Sequence, residues 1–318
     1  MRILSAGLVY CDIVLSPVPG DIMKMDNSVI APAVMHTGGD ALNVAVVLAK
    51  LGVQVSLAGK IGGDMNGSFV KRELIRQRVD TEGILVDPSH DTAVSYVLVG
   101  LDGERHFLSE CSINEAFRSR DVPDEMIENA DMVYFGSALA MTGMPDSETA
   151  DLFCRAHRRG KITAMDASVP GILKEQGKSG IELLKDTMQE TDIFIPSYEE
   201  AVFLSGETEI ERIIQKFEGF RLKVFGIKLG SGGCVLTDFK EQVRLSVYPE
   251  LSVVDTTGAG DCFMGGFLCG YLHGWDLRKA GCFACAVSAF GIQEQGASEG
   301  VPDFETVLRY MEKYGGLL

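Results

Sequence analysis

The chain has 318 residues, 46% hydrophobic and 23% charged, which suits one large α/β domain or two modest ones. Its 45 acidic residues against 29 basic ones leave a formal net charge of −16, a surface that attracts neither phosphate backbones nor anionic lipid, so no nucleic-acid or membrane partner is expected. The opening MRILSAGLVY reads as a strand rather than a charged leader, no apolar run approaches the roughly 18 residues of a membrane span, and eight scattered cysteines suit free thiols in a reducing cytoplasm.

In chain order, RILSAGLVY is strand-like, and the stretch from Asp12 to Met35 is β-rich without helical period. ALNVAVVLAKLG is helical and stops at Gly52; VQVSLAGKIG returns to a strand, and SFVKRELIRQRV is an amphipathic helix. From Ala93 to Leu108, alternating residues flank Asp102-Gly103, a hairpin signal. DMVYFGSALA, KITAMDAS, DIFIPS, KVFGIKLG and GCVLTD follow as strands. SETADLFCRAHRRG, EEAVFLSG and IERIIQKFEG are the helices between them, and the region from Asp261 to Tyr314 is mostly helical. This alternation predicts a mainly parallel central sheet with helices on both faces. The two β-rich insertions predict a small second sheet over the strand C-termini, where α/β proteins bind ligands. The expected division is 1–10, 37–92 and 109–318 for the main body, with 11–36 and 93–108 forming a β lid.

One stretch carries chemistry. In VVDTTGAGDCFMGGF, a strand ends, Gly258, Ala259 and Gly260 form a turn, and Asp261 opens an apolar helix-periodic segment. Small residues let consecutive backbone N–H groups converge at the positive end of a helix, where an oxyanion binds. A carboxylate beside that pocket can take a proton from a hydroxyl attacking phosphorus, the pairing that phosphoryl transfer requires. The plain alternative is an Asp at an ordinary helix start.

DTTGAGD resembles the C-terminal signature of the ribokinase-like (PfkB) carbohydrate kinases, and GGDALNVAVVLAKLG, from Gly38 to Gly52, resembles their N-terminal signature. The resemblance covers essentially the whole chain and implies an ATP- and Mg²⁺-dependent sugar kinase, with K⁺ as a further ion. It makes Asp261 the catalytic base and the amides of Gly258, Ala259 and Gly260 the anion hole. Asp12, Gly38, Gly39 and Asn43 would hold the sugar; a carboxylate and a carboxamide suit vicinal diols. The family's NxxE motif reads SYEE here, with Ser197 in place of asparagine and Glu200 retained as a Mg²⁺ group acting through water. KLGSGG aligns Lys228, Gly230 and Gly233 with the ATP groove, the helix bearing Cys285 and Ser288 with the adenine pocket, and Asp255, Thr257 and Gly296 with a monovalent-cation loop.

Departures bear on the acceptor. The segment DASVP keeps Asp166 but has Ser168 and Pro170 where some members carry asparagine and arginine, and Ser137 stands where ribose-specific members have a glutamate. A nucleoside kinase of the same family and a catalytically weak ligand sensor remain open. A dinucleotide oxidoreductase is disfavoured, because AGLVYCD, not GxGxxG, follows the first strand. The lid's outer face is expected to meet a second copy in a homodimer. GILKEQGKS, Gly171 to Ser179, has one residue too many between its glycines for a phosphate-binding P-loop and is expected to be a loop. Cys282 and Cys285 read as one turn of a buried helix.

Overall fold

Short apolar runs, too brief for helices and flanked by helical segments, become the strands of one sheet buried on both faces. The computed structural model describes residues 1–169, 173, 180–248 and 252–314, so the P-loop-like stretch and Pro170 lie, apart from Leu173, outside the described residues. The main-body strands are β1 (Arg2–Gly7), β4 (Gln54–Gly62), β5 (Ile84–Asp87), β8 (Met132–Gly136), β9 (Ile162–Met165), β10 (Ile193–Phe194), β11 (Val224–Lys228), β12 (Cys234–Thr237) and β13 (Gln242–Leu245). Among the described residues they form a nine-stranded sheet in the order β13-β12-β11-β10-β9-β8-β1-β4-β5. Pairing is parallel from β5 to β11 and antiparallel for β11–β12 and β12–β13. The chain fills one side of β1 first and the other later, so the direction of winding reverses between β1 and β8, where open α/β sheets leave a crevice.

One face is covered by α1 (Asp40–Lys50), α8 (Ala259–Leu272), α9 (Leu277–Gly291) and α10 (Phe304–Tyr314), with Val44, Phe267 and Phe283 in a common core. The other face carries α4 (Asp146–His157), α6 (Tyr198–Ser205) and α7 (Ile210–Phe217) over Phe153, Leu204 and Phe217. The remaining helices are α2 (Met65–Arg76), α3 (Asp124–Glu128) and α5 (Lys185–Gln189). Two glycines let α8 sit tightly between its neighbours. A Cβ on Gly265 would lie 2.6 Å from Val47 Cγ1 of α1, and one on Gly266 would lie 2.9 Å from Ala284 Cα of α9. The start of α8 is therefore held by packing on both sides, which matters because Asp261 lies there.

A second, four-stranded sheet has the order β3-β2-β6-β7, from β2 (Tyr10–Val18), β3 (Val34–Gly38), β6 (Val94–Gly100) and β7 (Arg105–Glu110). Each insertion is an antiparallel pair, and a parallel pairing of β2 with β6 joins the two. Asp102-Gly103 makes the β6–β7 turn, with Gly103 at φ +84° and its N–H on the Gly100 carbonyl at 3.0 Å. Cys282 and Cys285 are both buried on α9, and all eight cysteines are free thiols. Among the described residues no helix is long and apolar enough to cross a membrane.

Candidate active site

The turn before α8 is shaped by a backbone that few residues tolerate. Gly258 is the N-cap of α8 at φ +71°, and a Cβ there would lie 2.3 Å from the Ala297 carbonyl oxygen. The first-turn amides of α8 have no preceding helical carbonyl to bond. Of the three residues expected to form an anion hole, Ala259 donates its N–H to the Thr256 carbonyl at 3.2 Å, closing the turn. Gly260 and Asp261 line a cleft of about 810 Å³ together with Asp166, Ser168, Ser197, Glu200, Lys228 and Gly230. Gly260 also borders an apolar pocket of about 540 Å³, whose walls include Gly233, Val247, Phe263, Cys285 and Ala289. The two spaces share Lys228, Gly230, Ser231 and Gly260.

Asp261 is oriented from across the molecule. Asn43 Nδ2 of α1 donates to Asp261 Oδ2 at 2.7 Å, while Asn43 Oδ1, buried, has no protein partner. Withdrawal from water pushes Asp261 up from 3.8 to about 6; Asn43 and Lys228 pull it down, and Asp166 and Glu200 push it further up. Burial likewise raises Asp12 to about 6. Gly38 and Gly39 are bare for a reason. The Asp12 carboxylate lies where a Gly38 Cβ would be, 2.2 Å from Oδ2, and a Cβ on Gly39, at φ +94°, would lie 2.5 Å from the Leu8 carbonyl oxygen.

Lys228 is the mostly buried cation of the cleft. Its ammonium bonds Asp166 Oδ2 and stands 3.3 Å from where a Gly260 Cβ would project, beside the first turn of α8. Burial opposes that charge, yet Asp166 and Glu200 outweigh it, and the lysine pKa is raised. Ser197 meets Lys228 in a bridge between chain segments, so the SYEE and KLGSGG motifs adjoin at the sheet edge. SYEE is also a capping box: Glu200 N–H donates to Ser197 Oγ at 3.3 Å, and Ser197 N–H donates to Glu200 Oε2 at 2.7 Å. One oxygen of Glu200 is thus committed to the start of α6. Among the described residues no cluster of three His, Cys, Asp or Glu side chains could cage a metal by itself. A Mg²⁺ here would be held largely by nucleotide phosphates and water, as that ion prefers, with Glu200 the carboxylate expected to act through water.

Asp255 and Gly296 are brought together, Gly296 N–H donating to Asp255 Oδ2 at 3.0 Å. Their expected role as a K⁺ loop fits poorly, because Arg105 Nη1 lies 2.7 Å from Asp255 Oδ1, which also accepts from Thr257 N–H at 2.8 Å.

Three groups escape the sequence reading. Asp40, next to the paired glycines, is 7% exposed and accepts from Tyr134 Oη at 2.5 Å and Ser137 Oγ at 3.1 Å. Burial, then the charge of Asp261, raises Asp40 to about 7. Ser137 Oγ also lies 2.9 Å from Ser168 Oγ, whose hydroxyl can donate to it, and both serines hold positive φ, +62° and +46°, just past β8 and β9. Strained non-glycine backbone of this kind gathers at functional sites. Arg105 and Arg244 complete the list, Arg244 on the wall of the larger cleft. Asp40 was legible beside Gly39; the arginines lie far in sequence from what they face and carry no local signal.

A family model described as "pfkB family carbohydrate kinase" matches residues 13–303. The chain belongs to that family. It is 30% identical over 316 residues to an ATP-dependent ribose-1-phosphate kinase of Halopiger xanaduensis, covering 98% of this chain and 99% of the relative. It is 27% identical over 292 residues to a nucleoside kinase of Methanothermobacter thermautotrophicus, covering 87% and 85%. Among solved structures, a Xylella fastidiosa fructokinase with bound ATP superposes with a TM-score of 0.84 at 24% identity, covering 98% of both chains. An E. coli chain solved with ATP and Mg²⁺ superposes with a TM-score of 0.84 at 21% identity, over 98% of this chain and 99% of that one. The ribokinase-like fold, with its large mostly parallel sheet and small separate sheet, is therefore the fold expected from the two signatures.

Proposed function

We propose that the protein moves the γ-phosphoryl group of ATP onto a hydroxyl of a small sugar or sugar derivative, with Asp261 as general base. The observation that carries this reading is Asp261, oriented by Asn43, set in the same helical turn as the amide donors on the wall of one cleft. The apolar pocket beside Cys285 suits a purine, and Gly230 and Gly233 border it. Lys228 and the first turn of α8 would then meet the phosphates. The acceptor oxygen attacks the γ-phosphorus and gives its proton to Asp261; the bond to the β,γ-bridging oxygen breaks and ADP departs with that electron pair. The developing charge on the transferred group faces the α8 amides and Lys228. Mg²⁺, carried in with ATP, supplies charge neutralisation on the phosphates.

On the acceptor side, Asp12, the bare backbone of Gly38–Gly39, and the unpartnered Asn43 Oδ1 suit a polyol. Residues 11–36 and 93–108 act in this reading as a lid that excludes water from the cleft. A second reading, a nucleoside acceptor, is favoured by the nucleoside kinase among the relatives. Free thiols suit a reducing cytoplasm. A homodimer through the lid is supported by a cross-strand row, Met35–Ile13–Tyr96–Leu108, in which Met35, Tyr96 and Leu108 are exposed.

The test is ADP release over a panel of sugars, sugar acids and nucleosides. Asp261→Asn is expected to lower turnover by about 10²–10⁴-fold while still binding an ATP analogue. Equal, low turnover in both proteins would turn the reading to a ligand sensor.

A further inference from the structure

The loop aligned with a monovalent-cation site already holds a cation belonging to the chain. The Asp255 side chain is 2% exposed and both its carboxylate oxygens are engaged, Oδ1 by Arg105 Nη1 and Thr257 N–H, Oδ2 by Gly296 N–H. The same Nη1 donates to Thr257 Oγ1. Thr257 immediately precedes Gly258, the N-cap of α8, so the guanidinium braces the residue from which the anion-binding turn springs. Arg105 comes from 152 residues away. It is the first residue of β7, just past the Asp102-Gly103 turn at the tip of the small sheet. The surrounding backbone is cross-tied, with the N–H groups of Val254 and Asp255 both on the Ile292 carbonyl, at 2.8 and 3.1 Å.

A guanidinium and an alkali-metal ion each set one positive charge against this buried carboxylate. The guanidinium needs no oxygen cage, and its Nη1 contacts the carboxylate and the threonine hydroxyl together. We infer that Arg105 is the loop's cation. With the small sheet over the cleft, it neutralises Asp255, fixes Thr257, and so sets the first-turn amides of α8. The chain then needs no K⁺, and the position of the small sheet is coupled to the shape of the anion-binding turn. Arg105 is a positioning residue, acting through Asp255 and Thr257. The inference rests on the kinase reading only where it concerns nucleotide.

The test uses the full chain at constant ionic strength in KCl, NaCl or tetramethylammonium chloride, with calorimetric binding of AMP-PNP plus Mg²⁺ and the ligand-free melting temperature as readouts. The wild type is expected to give the same values in all three salts. Arg105→Met should bind about tenfold or more weakly in tetramethylammonium, and recover in KCl or with millimolar guanidinium. Its ligand-free melting temperature should rise in KCl too. Arg105→Lys should retain most of the affinity, and Arg105→Met/Asp255→Asn should lose the salt dependence, since no carboxylate is left to neutralise. A wild type that itself gains severalfold affinity from K⁺ overturns the inference. So does an Arg105→Met variant that matches the wild type, or one whose affinity and melting temperature answer to neither K⁺, guanidinium nor Asp255→Asn. Failure of every protein to bind AMP-PNP, with the melting response intact, strikes the kinase reading and leaves Arg105 as the loop's cation.

Discussion

At the scale of single residues, the site gathers Asp40, Asp166, Asp261 and Glu200 around the ammonium of Lys228, a crowding of like charge of the kind that gathers at functional sites. The raised pKa of Asp261 has a direct kinetic consequence. As a base it must be ionised, and with its pKa pushed up to about 6 it is protonated below that pH and charged above it. The logarithm of kcat/KM is therefore expected to be flat near pH 8 and to fall as pH drops through about 6. If the slope exceeds one proton, Asp12, also raised to about 6, titrates with it. A flat profile down to pH 5, with the fold intact by circular dichroism, would rule out Asp261 as the base. Asp261 and Asn43 were readable as motif positions; that one hydrogen-bonds the other was not, because 218 residues separate them.

At the scale of elements, helices with a clear apolar stripe, such as α2 and α4, stand where periodicity put them. The short edge strands β5 and β13 were not read, since four residues with a partly exposed face carry too little pattern. The element on which the proposed function turns is α8, and its start depends on one glycine. Gly258→Ala forces a side chain into the left-handed region and against the Ala297 carbonyl. A loss of about 2–4 kcal/mol in urea unfolding is expected, with weaker AMP-PNP binding by the folded fraction. An unchanged midpoint would mean that the turn relaxes freely and does not hold the amides in place. SYEE shows one element serving two purposes, its serine and glutamate capping α6 while lining the cleft.

At the scale of the whole molecule, the small sheet is the lid of the proposed function. Its parallel β2–β6 pairing fuses two hairpins that lie about eighty residues apart in the chain into one surface, from which Arg105 reaches Asp255. Its exposed apolar row is the face that the proposed homodimer would cover. If a second copy covers it, Tyr96→Glu should raise the dimer dissociation constant about tenfold or more, seen by light scattering across a dilution series. A wild type that stays monomeric at high concentration removes that reading.

Apolar periodicity, glycine turns and two motifs were enough to read a mainly parallel sheet, its covering helices and a pair of β insertions, and to nominate Asp261 and the glycine turn before it. Each of these is a local property, written within a dozen neighbouring residues. Sheet order, the union of the two insertions, the serine pair at strained φ, the Asp40–Tyr134 contact and the seat of Arg105 on Asp255 were decided only in three dimensions. These join residues tens to hundreds of positions apart, and their energy comes from burial and charge pairing that exist only once the core has closed.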